Sequence, residues 1–135
     1  MTATDLSQNY YATFNAGDRE AFLSLLTEDV VHELNQGSVE IGVPAFRAFL
    51  ERMDRCYAEQ VEQLAVFGSP NDASRGAAEF YIRGTYLNTD EGLPPAAGQT
   101  YFLRVGAFFE LRNGKVARIT NYYNLQEWLK QVGAA

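Results

Sequence analysis

The sequence predicts one α+β domain with helices on one face of a curved sheet. Three observations carry this. Apolar residues recur at helical spacing through the first half, the spacing changes to alternation from residue 60 onward, and Asn113-Gly114 stands between two alternating runs. Helices first and long strands afterwards around one core is the α+β pattern. A chain of 135 residues suits a single domain, 1–135, and is too short for two comfortable cores.

The first helix is expected over 4–16, where Leu6, Tyr10 and Phe14 form one apolar stripe and Gly17 follows as a left-handed C-cap. Asp18 caps a second helix, 18–27, with Ala21, Phe22, Leu25 and Leu26 on its buried face. Residues 30–36 alternate as a strand. Pro44 then opens a third helix, 44–58, whose face is Phe46, Phe49, Leu50, Met53 and Tyr57. Four strands follow at 60–67, 76–87, 99–112 and 115–124, and Asn-Gly supplies the positive φ angles of a tight hairpin between the last two. Asn124 caps a terminal helix over 125–132. The core is expected at Phe14, Phe22, Leu26, Phe49, Phe80, Phe109 and Trp128.

The net charge of -6, with no run of lysine or arginine, provides no electrostatic footprint for nucleic acid or for an anionic membrane. No apolar run approaches the roughly 18 residues of a spanning helix. Cys56 has no cysteine to pair with, and MTATDLSQ lacks a signal-peptide pattern, so the expectation is a cytoplasmic protein. Eight tyrosines and nine phenylalanines make the chain rich in aromatic rings.

Three stretches carry a family resemblance: NAGDREAFLSLLTEDVVHELNQG, GTYLNTDEGLPPAAGQTYFL and NGKVARITNYYNL. In this order they resemble the NTF2-like superfamily, specifically its SnoaL-like polyketide cyclase and ketosteroid isomerase-related members. The resemblance implies a cone in which N-terminal helices pack on a strongly curved, mainly antiparallel sheet that encloses a mostly apolar pocket.

Strand parity then sorts the residues. Ala78, Phe80, Ile82, Gly84 and Tyr86 share the apolar face, as do Tyr101, Leu103, Val105, Ala107 and Phe109, and Ala117, Ile119, Asn121 and Tyr123. Apolar walls with sparse polar groups are the usual make-up of a small-molecule site. The ligand-lining set is therefore Phe14, Leu34, Phe80, Ile82, Tyr86, Tyr101, Phe109 and Tyr123.

His32 shares its face with Val30, Leu34 and Gln36, and alternation alone leaves that face inside or outside. The resemblance decides. Laid on ketosteroid isomerases, the position of the aspartate base falls on Leu34, the tyrosine that donates to the enolate oxygen falls on Tyr10, and the buried acid falls near Gly106 or Ala107. Leu34 facing inward brings His32 inward too, as the candidate base, since a neutral imidazole accepts a proton near neutral pH. Tyr10 and Asn121 are the candidate partners for the developing enolate. The alternative reading of His32 is a hydrogen-bonded wall residue without catalytic duty. One histidine without a cysteine or carboxylate cluster makes no metal site, and no cofactor is expected.

Tyr86 takes the position of the histidine in the SnoaL-like Gly-Thr-His pattern. Glu79 and Arg83 resemble the carboxylate and arginine grouping of limonene-epoxide-hydrolase-like proteins, but parity puts them on the convex face as an ion pair or subunit contact. The long connection 88–99 is expected at the pocket mouth or against a partner subunit. Three functions stay open: a cofactor-free isomerase or cyclase moving a proton next to the carbonyl of a steroid- or polyketide-like molecule, a non-catalytic pocket protein for a hydrophobic ligand, and a dimerisation module with an incidental pocket. A homodimer through the convex face is expected, because Tyr81, Arg83, Phe102, Arg104, Phe108, Glu110 and Tyr122 make that face too aromatic to leave in water.

Overall fold

The computed structural model describes residues 2–34 and 37–133. Helix α1 (Ala3–Ala16) opens on a capping box: Thr2 accepts from the Asp5 amide while Asp5 accepts from the Thr2 amide. It ends at Gly17, whose φ of +79° is the left-handed conformation expected there. Asp18 accepts from the Ala21 amide and starts α2 (Arg19–Leu23), which is a single turn shorter-lived than the apolar spacing suggests. Leu26 is not on that helix but begins β1 (Leu26–Glu33), because it pairs with Val116 in the sheet.

A strand absent from the periodicity, β2 (Val39–Ile41), pairs antiparallel with β1. Helix α3 (Val43–Cys56) stops one turn's fraction before its expected end, and Tyr57 already belongs to β3 (Tyr57–Gly68). Strands β4 (Arg75–Tyr86), β5 (Thr100–Arg112) and β6 (Lys115–Tyr123) and helix α4 (Leu125–Gln131) complete the chain. The expectation of a strand reaching residue 36, and of Gln36 sharing the face of His32, lies outside the described residues.

Among the described residues the six strands form one curved, unclosed sheet in the order β2-β1-β6-β5-β4-β3, mixed because β1 runs parallel to β6. Helix α1 packs on β3 and β4, and α3 packs on β1. Asn113 and Gly114, at φ +53° and +75°, make the β5–β6 turn as the Asn-Gly pair requires. Besides the register shift in β1 between Leu26 and Val31, two bulges bend the sheet, one in β3 where Gln63 takes a φ of +54°, one in β6. The second changes parity. Leu111 pairs with Val116 and Glu110 with Arg118, so Val116 is buried and Ala117, expected inward, becomes the extra residue.

The buried side chains divide into two clusters. One joins Tyr10, Tyr11, Phe22, Phe46, Phe80 and Phe109; the other joins Tyr57, Tyr86, Tyr101, Leu103 and Trp128. Full burial of each such side chain contributes about 1.5–3 kcal/mol. Phe14 and Phe49, expected in the core, are half-buried at its margin. Gln131 covers the free edge of β5 beyond the end of β6, its amide accepting from the Phe102 N–H at 2.7 Å and donating to the Phe102 carbonyl at 2.9 Å.

Candidate functional site

His32 faces inward, only 2% exposed, stacked on Phe46 at 4.4 Å and edge-on to Phe49 at 4.5 Å. Register sets Glu40 of β2 beside it, and Nδ1 lies 3.5 Å from Glu40 Oε1. Burial lowers the imidazole pKa to about 4, so the ring is neutral at pH 7. Tyr10 is buried too, its ring against Phe22 at 4.6 Å, Tyr11 at 5.0 Å and Phe109 at 5.1 Å, and burial raises its phenol well above the usual range. Tyr10 and His32 do not touch. Phe22 and Phe46 stand between them as successive rings of one core.

Asn121 is half-buried, opposite Ala107 and one inner row from Ile119, the partner of His32. Leu34 follows Glu33, whose partner is Thr120, and is half-buried. Phe80 and Phe109 are buried, whereas Ile82, in the middle of the inner face between Val61 and Leu103, keeps partial exposure. Ile82 packs against both core clusters. It therefore lies at the seam where the two clusters meet.

A second polar group borders this seam. Glu59, Gly84 and Tyr101 form one cross-strand row on β3, β4 and β5. The Tyr101 ring lies over Gly84, where an added Cβ would sit 2.2 Å from a ring atom. That path lets the Tyr101 hydroxyl donate to Glu59 Oε2 at 2.6 Å. Desolvation raises the Glu59 carboxyl above the ordinary value, opposed by the Tyr101 hydrogen bond and the Arg19 charge. Arg19 itself is held by Asp54 in a bidentate pair at 2.9 and 2.6 Å. Tyr123 is 36% exposed, and burial, then the charges of Glu59 and Asp90, raise its phenol.

Tyr86 is fully buried and anchors the connection between β4 and β5. Its hydroxyl donates to the Pro94 carbonyl at 2.6 Å and accepts from the Asp90 amide at 3.0 Å. Tyr57 donates to Asp90 Oδ2 at 2.8 Å, and Arg52 lies 3.7 Å from Oδ1. On the outer face Arg83 pairs with Glu62 of β3 at 2.6 Å rather than with Glu79, and covers Phe102 at 4.5 Å. Two open depressions of about 640 and 670 Å³ are lined by residues of both faces, the first by Glu59, Gly84 and Tyr101 together with Arg83 and Phe102, the second by Leu103 and Tyr123 together with Glu79 and Arg104.

A family model for the SnoaL-like domain matches residues 7–119, which spans the row of inner-face residues from Tyr10 to Ile119. The chain belongs to the SnoaL-like family. This SnoaL-like chain is 56% identical to a candidate polyketide cyclase from Pseudomonas putida KT2440, covering 98% of this chain and 99% of that one at a TM-score of 0.95. It is 53% identical to a candidate polyketide cyclase from Xanthomonas campestris pv. campestris, covering 97% and 96% at a TM-score of 0.92. An NTF2-like protein from Burkholderia xenovorans LB400, 14% identical over 97% and 95% at a TM-score of 0.74, shares the fold. No curated protein matches the SnoaL-like chain.

Glu59, Glu40 and Asp90 are the polar groups that sequence reasoning passed over. A signal existed for Glu59: it shares parity with Tyr57 and Val61, an acid in an apolar set. Starting that strand at residue 60 hid it. Asp90 and Glu40 had no such signal, because each meets its partner through pairing of distant segments.

Proposed function

We propose that this SnoaL-like domain is a cofactor-independent isomerase or cyclase that moves a proton next to the carbonyl of a hydrophobic, steroid- or polyketide-like molecule. One observation carries the reading: an interior imidazole, His32, has a carboxylate from the neighbouring strand 3.5 Å from its Nδ1. The two atoms form no hydrogen bond at this separation; a proton on Nδ1 shared with Glu40 when they close would leave the lone pair on Nε2, the arrangement of a base with an orienting acid. Burial keeps the ring in the neutral form that accepts a proton, and Glu40 stabilises the imidazolium as it forms. Asn121 is the group assigned to the enolate oxygen, with Phe14, Leu34, Phe80, Ile82, Phe109 and Tyr123 as apolar wall around the seam, and Tyr86 and Tyr101 behind it. Tyr10, expected to share that role, is set apart from His32 by Phe22 and Phe46 and belongs to the core.

The test uses 2-tetralone, an apolar enolisable ketone, in D2O. Protein-dependent exchange of its C1 protons, followed by NMR, is expected, with a loss of about 10²–10⁴-fold in His32→Ala. Exchange no faster than in buffer overturns the reading. A second reading, a pocket protein that binds without reacting, is favoured by the rings of Phe22 and Phe46 between Tyr10 and His32, which keep the two from converging; it predicts that 2-tetralone binds and does not exchange. Homodimerisation through the convex face belongs to the same proposal, on the exposure of Phe108 and Tyr122, which pair edge to face at 5.9 Å.

A further inference from the structure

We propose that Glu59 and Tyr101 form a polar subsite on the inner face that takes the hydroxyl of an enol or phenol carried on an apolar ring skeleton. This rests on the preceding reading for the hydrophobic character of the ligand, and goes beyond it by naming the group that is recognised and the residue that recognises it.

The argument begins with Gly84. A glycine in the middle of a paired strand weakens the sheet, and here it lets an aromatic ring from the next strand cross its position. Tyr101 therefore reaches β3 and commits its single hydroxyl proton to Glu59 Oε2 at 2.6 Å. The other carboxyl oxygen, Oε1, accepts no hydrogen bond among the described residues, and Glu59 is half-buried rather than sealed. Oε1 is not one of the enclosed oxygens and Glu59 lines an open depression, so a donor can approach it from outside, and bonds from O–H to an ionised acceptor are among the stronger kinds.

Among the described residues only Tyr101 donates a hydrogen bond to the Glu59 carboxyl. Arg19, whose charge reaches Glu59, has its guanidinium held by Asp54, and Tyr57 donates to Asp90. The next inner row is Val61, Ile82 and Leu103, all apolar, with Ile82 at the seam. A hydrated cation loses its water shell against such a wall, which is costly; a hydroxyl on a hydrocarbon skeleton brings a donor and covers the wall with apolar surface. The chemistry that fits is a ligand with an O–H at one end and rings behind it.

The experiment compares equilibrium binding of 2-naphthol and 2-methoxynaphthalene, which share the skeleton and differ in the donor. The wild-type chain is expected to bind 2-naphthol at least about tenfold more tightly, the value of one charge-assisted hydrogen bond. Glu59→Gln, which keeps the side-chain shape, should reduce that preference to about threefold or less. Equal wild-type affinities, no binding of either probe, or an undiminished preference in Glu59→Gln each overturn the subsite. The readout is binding, so a preference without 2-tetralone exchange sinks the proton-transfer reading alone, and exchange without a preference sinks the subsite alone.

Discussion

Tyr101 crosses Gly84 to donate its hydroxyl to Glu59 at 2.6 Å, so three residues on three strands act as one unit. The glycine makes room, the ring spans the gap, and the carboxylate receives the only proton the phenol has. Each part is separable by mutation.

Gly84→Ala should destabilise the fold by about 1–3 kcal/mol or more, since the added methyl meets Tyr101 ring atoms at 2.2 Å. In a Tyr101→Ala background the same substitution should be much milder. Urea denaturation of the four proteins of this cycle measures the coupling, and additivity of the two changes contradicts the contact.

Glu59 has a raised pKa in the fold, with desolvation the largest cause. The folded state then holds its proton to higher pH than the unfolded chain, so this group lowers stability as pH rises from the ordinary carboxylate value through the folded one. Glu59→Gln removes that dependence. Compared with wild type, the variant should gain relative stability at pH 8 over pH 4, read from urea midpoints; Tyr101→Phe, which deletes a bond to the charged form, should make the wild-type slope steeper.

His32 behaves in the opposite sense. Its folded pKa of about 4 lies below the ordinary 6.5, so the unfolded chain takes up the proton first and stability is lost as pH falls from 6.5 through 4. The loss from this group approaches about 3 kcal/mol at the acid end. In His32→Leu the component should vanish from denaturation curves measured between pH 7 and pH 4. A wild-type slope retained by the variant would show that the imidazole is not buried as described.

Tyr86→Phe leaves the Pro94 carbonyl and the Asp90 amide without their hydroxyl partner. Expected is a loss of about 1–3 kcal/mol, together with faster amide hydrogen exchange confined to residues 88–98. Exchange that stays at the wild-type rate in this segment would mean that other contacts hold it.

Phe108 and Tyr122, 57% and 52% exposed, form an outer-face aromatic pair. If two copies meet through this face, wild type sediments as a dimer at micromolar concentration and Phe108→Glu as a monomer, with unchanged circular dichroism. Monomeric wild type removes the convex-face interface.

The faces of the strands were legible because alternation is local: Phe80, Val105 and Phe109 had to be buried together, and the Asn113-Gly114 turn had one conformation open to it. His32 was placed inward by resemblance and is inward in the fold. Its surroundings were another matter. The stack on Phe46 and the approach of Glu40 depend on how β2 and α3 settle against β1, and neither leaves a trace in the spacing of apolar residues.

By itself, then, the sequence determined that this chain is an α+β domain of helices on a curved sheet, which helices are capped, and which residues of each strand share a face. All of these follow from dihedral preference and period, properties that act within a few residues. Tertiary structure decided that Leu26 is strand rather than helix, that Ala117 is bulged out so that Val116 is buried, and that Glu59 meets Tyr101 over Gly84. Those outcomes rest on register between residues about 5 to 90 positions apart in the chain, where the free energy lies in pairing and packing across strands rather than in the preference of either strand alone.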